Sequence, residues 1–413
     1  MTRVSTVALF ALAFALLGRT LCATESRSAS SSYGGARVTL GRYLFYDRRL
    51  SSDNSLSCAT CHRQQYAFSS GPFVPAGVTG VAVRRKVPAI QNVSQEAFFT
   101  WADPRVTTLE RQARIPLFGR HPVEMGMNGR SSTIEALLRC DPLYRNLVPV
   151  AFSGSANPFV VDSVLSALAS FERTLVSRNS DFDRDSMNPL ARRGEKLFLS
   201  ETVGCTHCHA PPAFSDNVST HGGSFQLAYH NTGLYRVDSW NHYPRRDEGL
   251  FEITGDPNDT GAFRTPSLRN VAVTGPLMHD RSVASLEQAI ANYSRGGRLI
   301  ASGSDKGDGS RNLFKSVLVQ GFGLGAQDRR AIAAFLRALT DRSFLKDPAF
   351  ANPFRPSDLD RCTVKPRMSP THHRSPSRRR HRRNDNRSCA FPESHRHRVA
   401  MFFCTPALSG SGA

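Results

Sequence analysis

The sequence predicts an all-α fold made of two similar helical halves, at residues 35–180 and 185–345. Three observations support this expectation. Apolar residues recur at helical spacing along most of the chain. Patterns typical of strands are sparse. The same order of features, a helix, a CxxCH motif, a long loop region and a closing helix, occurs twice, with the boundary near SRNSDFDRDSMNPLARRG at 177–194.

The first half contains three helical segments. The stretch ARVTLGRYLFYDRRL, at 36–50, is amphipathic and leads into the first CxxCH. The stretch SSTIEALLRCDPLY, at 131–144, carries a capping-box pattern in which Ser132 is followed by Glu135. Apolar residues at helical spacing in FVVDSVLSALASFERTLVS, at 159–177, close this half.

The second half repeats this order. The stretch NPLARRGEKLFLS, at 188–200, leads into the second CxxCH, and SLEQAIANYS, at 285–294, opens with a capping box at Ser285. The helical pattern AQDRRAIAAFLRALTD closes the half at 326–341. The long Gly-, Pro- and Asn-containing region at 211–275 needs something large beneath it to be ordered, and a buried cofactor would meet that need.

The amino terminus resembles a secretory signal peptide. Arg3 precedes a short apolar run at residues 7–17, and Ala23 supplies a small residue at a plausible cleavage point. We therefore expect a signal peptide at 1–23 and a periplasmic protein. No other segment is apolar enough to predict a membrane span.

The formal charge of +19 is concentrated at the carboxyl end. Residues 361–413 hold 12 Lys or Arg and 2 Asp or Glu, a net charge of +10. This tail has no apolar period, so we expect it to be disordered. The rest of the chain is only moderately basic, so the sequence does not predict a partner among the nucleic acids.

Each CxxCH motif has the spacing that attaches a c-type haem. Two thiols three residues apart can bond to the two vinyl groups of one porphyrin, and the adjacent histidine then ligates the iron. A zinc site would require the two cysteine pairs to converge, and a thioredoxin-like dithiol would require a βαβ setting. The sequence therefore predicts two covalently bound c-type haems, attached through Cys58, Cys61 and His62 and through Cys205, Cys208 and His209.

Two further cysteines of the ordered region, Cys140 and Cys362, could form a disulfide in an oxidising compartment. Cys389 and Cys404 lie in the basic tail. The sequence alone leaves the pairing open.

Three longer motifs resemble the bacterial di-haem cytochrome c peroxidase and MauG superfamily. They are LFYDRRLSSDNSLSCATCH (44–62), LERQARIPLFGRHPVEMG (109–126) and GAFRTPSLRNVAVTGPLMHD (261–280), and the resemblance runs from about residue 40 to residue 340. It implies two cytochrome c-like helical domains with one haem each. It also implies a peroxidase-type oxidoreductase whose first haem reacts with hydrogen peroxide.

The resemblance implies that the iron of the second haem has a second axial ligand. Peroxidases of the family have a Met at this position and MauG-like members have a Tyr. Tyr293 lies fourteen residues after His279, at the family's ligand position, and Met278 is the rival ligand. An anionic phenolate favours oxidised iron, whereas Met favours reduced iron. Tyr293 therefore favours MauG-like chemistry.

By the same resemblance, Glu124 in HPVEMG is the acid–base residue at the first haem, and Gln112 helps to shape its pocket. His121 is also close in sequence and stays open as an alternative. Trp101 in FFTWADPR matches the tryptophan that relays an electron between the haems.

The family also holds a calcium ion between its domains. The matching residues are the side chain of Asn92 and the backbone carbonyls of Thr274 and Pro276. Oxygen ligands from loops suit Ca²⁺. Two departures concern nearby loops: Arg281 stands where the family usually has Gly, and Leu277 where a Tyr is common.

The spacing around Trp101 and Glu124 fits a MauG/MbnH-like branch that includes a tryptophan-oxidising enzyme. We therefore expect oxidation of a partner protein side chain, driven by hydrogen peroxide. One alternative is a peroxidase that takes electrons from a small cytochrome c. Another is an electron carrier without catalysis, with which an acid–base pocket at Glu124 is inconsistent.

Overall fold

The computed structural model describes residues 30–219, 228–240, 242–355, 358 and 362 of the 413. The expected signal peptide at 1–23, and the tail at 361–413 apart from Cys362, lie outside the described residues. The described residues all belong to one compact unit. The helices are α1 (Ser30–Tyr46), α2 (Cys58–Cys61), α3 (Leu109–Phe118), α4 (Ser131–Cys140), α5 (Pro142–Ala151), α6 (Val161–Glu172), α7 (Pro189–Phe198), α8 (Phe251–Thr254), α9 (Leu286–Ser294) and α10 (Ala326–Ala338).

The expected helical character is confirmed, with a small β component that the sequence did not indicate. Strand β1 (Tyr229–Asn231) pairs antiparallel with β2 (Ala262–Arg264), and β3 (Leu299–Ile300) pairs with β4 (Gly307–Asp308). Each strand has only two or three residues, too few for a period-2 pattern to stand out. In the described part of the chain no helix is long and apolar enough to cross a membrane.

Of the two predicted capping boxes, the one at Ser132 is wrong. Helix α4 begins at Ser131 rather than after Ser132, its N-cap is Arg130, and no side chain accepts a hydrogen bond from its first turn. Ser285 does cap α9, since its hydroxyl accepts the backbone N–H of Gln288.

Each half is built on one crossing of two helices, α1 with α6 and α7 with α10. In each crossing a glycine of the earlier helix lies against the backbone of the later one. A Cβ on Gly41 would lie 1.9 Å from the Ala167 carbonyl oxygen, and a Cβ on Gly194 would lie 1.9 Å from that of Ala331. Only glycine allows so close an approach, so the two crossings are built alike.

A buried aromatic triad packs around each crossing. One ring comes from each crossing helix, and the third comes from the loop after the CxxCH motif. The centroids of contacting rings are 5.1–6.2 Å apart. The triads are Phe45, Phe68 and Phe171 in the first half and Phe198, Phe214 and Phe335 in the second. The duplication expected from the order of motifs thus extends to the core, while the boundaries 35–180 and 185–345 stay a prediction.

Cys140 and Cys362 form a disulfide with their Cα atoms 6.1 Å apart. It joins the end of α4 to a residue 222 positions later, beyond the second half. This resolves the pairing that the sequence left open.

Candidate haem sites

The first CxxCH motif folds as the short helix α2 and the residue that follows it. Cys58 and Cys61 are free thiols. Nδ1 of His62 lies 2.7 Å from the carbonyl oxygen of Phe68. Because a carbonyl can only accept a hydrogen bond, Nδ1 carries the proton, and Nε2 is left with the lone pair that can ligate iron.

The second motif repeats this geometry. Cys205 and Cys208 are free, and Nδ1 of His209 donates to the carbonyl of Phe214 over 2.9 Å. Phe214 has a positive φ of 53°, and its counterpart Phe68 has a φ of 58°. In each half the backbone therefore turns at a buried phenylalanine and points a carbonyl at the histidine. We call these two contacts the histidine latches.

The second motif lines a cavity of about 400 Å³. Its walls include Cys205, Cys208 and His209, together with apolar side chains such as Phe198 and Leu336. Free thiols at the right spacing, a neutral imidazole and apolar walls are what a covalently attached haem requires. The residues present fit that group.

Both candidates for the second axial ligand line the same cavity. Tyr293 lies near the end of α9, and Met278 lies in the loop before that helix. Burial raises the pKa of the Tyr293 phenol, and the nearby Cys208 and Cys205 raise it further. The structure brings both side chains to the second motif, and the choice of Tyr293 as ligand stays a prediction.

Glu124 follows α3 and is half-buried, and burial raises the pKa of its carboxyl. Burial raises the pKa of the Cys61 thiol, and the charge of Glu124 raises it further. The carboxyl of Glu124 therefore lies near the first motif. His121 is exposed, which makes it the weaker acid–base candidate. Gln112 is half-buried on α3, and its part in the pocket stays a prediction.

A second carboxyl near the first motif was missed by the sequence interpretation. Glu172, the last residue of α6, is 7% exposed, and burial raises its pKa to about 8. Burial raises the pKa of the Cys58 thiol, and the charge of Glu172 raises it further. Glu172 directly follows Phe171 of the first triad, and Leu336 directly follows Phe335 of the second, so the two residues hold equivalent positions. Leu336 lines the second cavity. Aligning SFERTL with AFLRAL would have identified it.

Trp101 is 8% exposed and lies in the wall of the second cavity. Its indole Nε1 donates to the carbonyl of Lys86 over 2.6 Å. The guanidinium of Arg264 lies 5.8 Å from the ring centroid and is itself paired with Glu96. The indole is therefore fixed beside the second site, as a relay residue requires.

Asn92 is buried, and its role as a calcium ligand with the carbonyls of Thr274 and Pro276 stays a prediction. Its amide oxygen accepts the Ser177 N–H over 2.8 Å, and its amide nitrogen donates to the Ser177 carbonyl over 3.1 Å. The side chain that reaches Thr274 from the first half is Lys86, with Nζ 3.4 Å from the threonine hydroxyl. Burial and the charge of Arg281 lower the pKa of Lys86 to about 8.

A histidine–aspartate pair beside the second motif was also missed. His230 on β1 contacts Asp216 over 2.7 Å, and both lie within 4.8 Å of the sulfur of Cys208. Burial lowers the pKa of His230, but Asp216 and Cys208 outweigh it and raise the value to about 10. Since Cys208 belongs to the CxxCH motif, we do not treat this cluster as a separate metal site.

The chain is similar to known proteins in sequence. The profile of the di-haem cytochrome c peroxidase family matches residues 35–188. The methylamine utilization protein MauG of Methylorubrum extorquens is 33% identical over 309 residues, covering 73% of this chain and 78% of that protein. The cytochrome-c peroxidase IdrP1 of Pseudomonas sp. strain SCT is 32% identical over 343 residues, covering 78% of this chain and 85% of that protein.

The chain is also similar to a solved structure, described as a MauG-like protein associated with microbial copper homeostasis. The TM-score is 0.74 at 41% identity, over 78% of this chain and 93% of that protein. The relatives thus divide between those named MauG or MauG-like and those named cytochrome-c peroxidase.

Proposed function

Because the chain belongs to the di-haem cytochrome c peroxidase and MauG family of oxidoreductases, we propose that it is a periplasmic enzyme that uses hydrogen peroxide to oxidise a side chain of a partner protein. The observation that carries this proposal is Tyr293, which lines one cavity with the second CxxCH motif. A tyrosine at this position supports MauG-like chemistry, since a phenolate ligand stabilises oxidised iron and a Met ligand stabilises reduced iron.

When bound, the haems supply the redox chemistry, in which peroxide takes up two electrons and two protons and leaves as two waters. The chain must move those protons. Glu124 is suited to this role because burial holds its carboxyl pKa above the usual value, which favours a carboxyl that both takes up and releases a proton. We assign it the transfer of a proton between the two peroxide oxygens.

The electrons must cross the protein, since a partner protein cannot enter a buried site. Trp101 is an easily oxidised side chain in the wall of the second cavity, held by its hydrogen bond to Lys86. We assign it the relay between the two sites. The partner gives up two electrons in total, which balances the reduction of one peroxide.

The solved MauG-like structure supports one class of partner. That protein is described as associated with copper homeostasis, and the similarity covers 93% of it. We therefore propose that the substrate is a small exported copper-binding protein, with a tryptophan as the oxidised residue. A gene for such a protein beside this one would supply the substrate for the test.

The test presents the purified di-haem protein and peroxide with that partner or with a reduced small cytochrome c. We expect mass spectrometry to detect the oxidised partner, and we expect slow turnover of the cytochrome. Fast cytochrome oxidation with an unmodified partner would instead support the peroxidase function that other relatives are named for. If the protein does not react with peroxide at all, the result would support the function of a non-catalytic electron carrier.

Two measurements check the cofactors. A pyridine haemochrome titration should give two haems per chain that resist extraction by acid acetone. Electron paramagnetic resonance should give one high-spin and one low-spin iron, and Tyr293→Phe should lose the low-spin signal. An unchanged low-spin signal in this variant would exclude Tyr293 as the ligand and favour Met278, which lines the same cavity.

A further inference from the structure

The segment that follows helix α10 leaves the second half and packs against the core of the first. We call its residues 343–354 the strap. The strap starts at a fixed point, because the buried carboxylate of Asp341 accepts the backbone N–H of Phe344 over 3.0 Å. Beyond the strap, Cys362 is joined to Cys140 of the first half. The strap is therefore fastened on both sides.

Helix α1 of the first half binds the middle of the strap. The guanidinium of Arg42 donates to the carbonyls of Pro348 and Ala351 over 2.7 Å and 2.8 Å. The hydroxyl of Tyr46 donates to the carbonyl of Phe350 over 2.8 Å. These bonds attach the strap to a helix that carries no residue of the first CxxCH motif.

A second set of bonds attaches the strap to the turn that follows the motif. Gln64 lies two residues after His62. Its amide nitrogen donates to the carbonyls of Phe344 and Asp347 over 3.2 Å and 2.8 Å. One end of the turn is therefore bonded to the strap directly beside the axial histidine.

The other end of this turn is Phe68, whose carbonyl forms the first histidine latch. The ring of Phe68 contacts the rings of Phe344 and Phe350, with centroids 5.8 Å and 6.5 Å apart. Phe68 is fully buried, so two rings of the strap form part of its surroundings. The strap thus contacts both ends of the turn that orients His62.

The second latch is backed in the same way. Phe182 lies in the segment after α6, the closing helix of the first half, and its ring contacts that of Phe214 at a centroid distance of 5.2 Å. Each latch phenylalanine is therefore packed against a phenylalanine from the segment that follows the closing helix of the other half. Each latch depends on residues outside its own half.

The position of the latch carbonyl affects the ligand that the histidine provides. A hydrogen bond donated by Nδ1 fixes the imidazole ring and makes Nε2 a stronger ligand, which favours oxidised iron. Such a bond weakens when its length or angle departs from the best geometry. A segment that fixes the Phe68 carbonyl therefore influences the iron that His62 would hold.

We propose that the strap positions the axial histidine of the first haem, with Gln64, Phe344 and Phe350 as its positioning residues. The strap acts through the turn that ends at Phe68 and maintains the 2.7 Å contact between its carbonyl and His62. This inference rests on a haem at the first motif, which the haemochrome titration tests separately. It does not depend on peroxide or on the partner protein.

Two variants that each lose two bonds to strap carbonyls test the proposal on the purified di-haem protein. Both Gln64→Met and Arg42→Met should lower the Tm. Only Gln64→Met should move the iron–histidine stretching band, in the resonance Raman spectrum of the reduced protein, to lower frequency, because a looser latch gives a weaker ligand. The reduction potential of the first haem should rise for the same reason, and the low-spin signal of the second iron should stay unchanged.

The band and the potential separate positioning from simple stabilisation. If both stay at their natural values in Gln64→Met, the strap only stabilises the fold and the proposal is wrong. Equal shifts in Gln64→Met and Arg42→Met would also overturn it, because the effect would then not pass through the turn.

A second matched pair removes one ring behind each latch. Phe344→Leu should lower the frequency of the same band, whereas Phe182→Leu, which loosens the other latch, should leave it in place. A band that is unchanged in Phe344→Leu, or that moves equally in both variants, would contradict the inference. If Phe344→Leu does not fold, the comparison of Gln64→Met with Arg42→Met still decides.

Discussion

The two halves share a helical scaffold and differ in the side chains near their CxxCH motifs. Both have a glycine-mediated helix crossing, an aromatic triad and a histidine latch. The first half adds two buried or half-buried carboxyls, Glu124 and Glu172, near its CxxCH motif. At the position equivalent to Glu172 the second half has Leu336, and its cavity contains Tyr293 and Met278. One scaffold thus places carboxyls near one CxxCH motif, and a tyrosine and a methionine near the other.

The largest expected effect comes from removing the proton carrier of the first half. Glu124→Gln should slow the reaction with peroxide by about 10²–10⁴-fold, because an amide cannot transfer the proton. Stopped-flow absorbance would measure this step. Trp101→Phe is the matched comparison, since it should react with peroxide normally and lose most oxidation of the partner. If Glu124→Gln reacts at the natural rate, the assignment of the carboxyl is wrong.

The next effect concerns the disulfide that joins α4 of the first half to Cys362, beyond the second half. Replacing both Cys140 and Cys362 by Ser should lower the free energy of unfolding by about 2–5 kcal/mol, because the bridge closes a long loop. Denaturant unfolding followed by circular dichroism would measure it. The haem content should stay at two per chain, and loss of a haem would point to a wider role for the bridge.

A pH-dependent effect distinguishes Glu172 from Leu336. Burial raises the folded-state pKa of Glu172 to about 8, above the value of an exposed glutamate. Below the unfolded pKa both states are protonated and no stability is lost. As pH rises towards 8 only the unfolded chain ionises, so stability falls by up to about 1.4 kcal/mol per pH unit.

Unfolding measured between pH 5 and pH 8 should therefore show a smaller decline in Glu172→Leu than in the natural chain. Leu336→Glu is the matched reverse change and should steepen the decline. Equal slopes in all three proteins would mean that Glu172 is ionised in the folded state.

The smallest effects test whether the two crossings are equivalent. Gly41→Ala and Gly194→Ala each place a methyl group against a backbone carbonyl, so each should cost about 1–3 kcal/mol by overpacking. Thermal unfolding would compare them directly. A large cost in one half and none in the other would show that only one crossing is tightly packed.

Sequence patterns predicted the parts of the fold that depend on local order. Helices such as α6 and α10 follow from apolar spacing, and the candidate attachment residues follow from two thiols and a histidine in five positions. Contacts across the fold were not predictable this way. The amide of Asn92, for example, bonds to Ser177, 85 residues later. Glu172 gains its importance from burial, which a single sequence does not reveal.

The histidine latches have a consequence for how the gene tolerates mutation. Each axial histidine is oriented by a main-chain carbonyl, at Phe68 or at Phe214. A codon change cannot delete a carbonyl, so a substitution at Phe68 or Phe214 removes a buried ring from its triad and leaves the acceptor atom in the chain. Glu124, by contrast, contributes through its side chain alone, and one missense change removes it. Variants that lose activity while keeping both haems should therefore concentrate around the carboxyls of the first half, whereas changes at Phe68 or Phe214 should act through the stability of the buried triads.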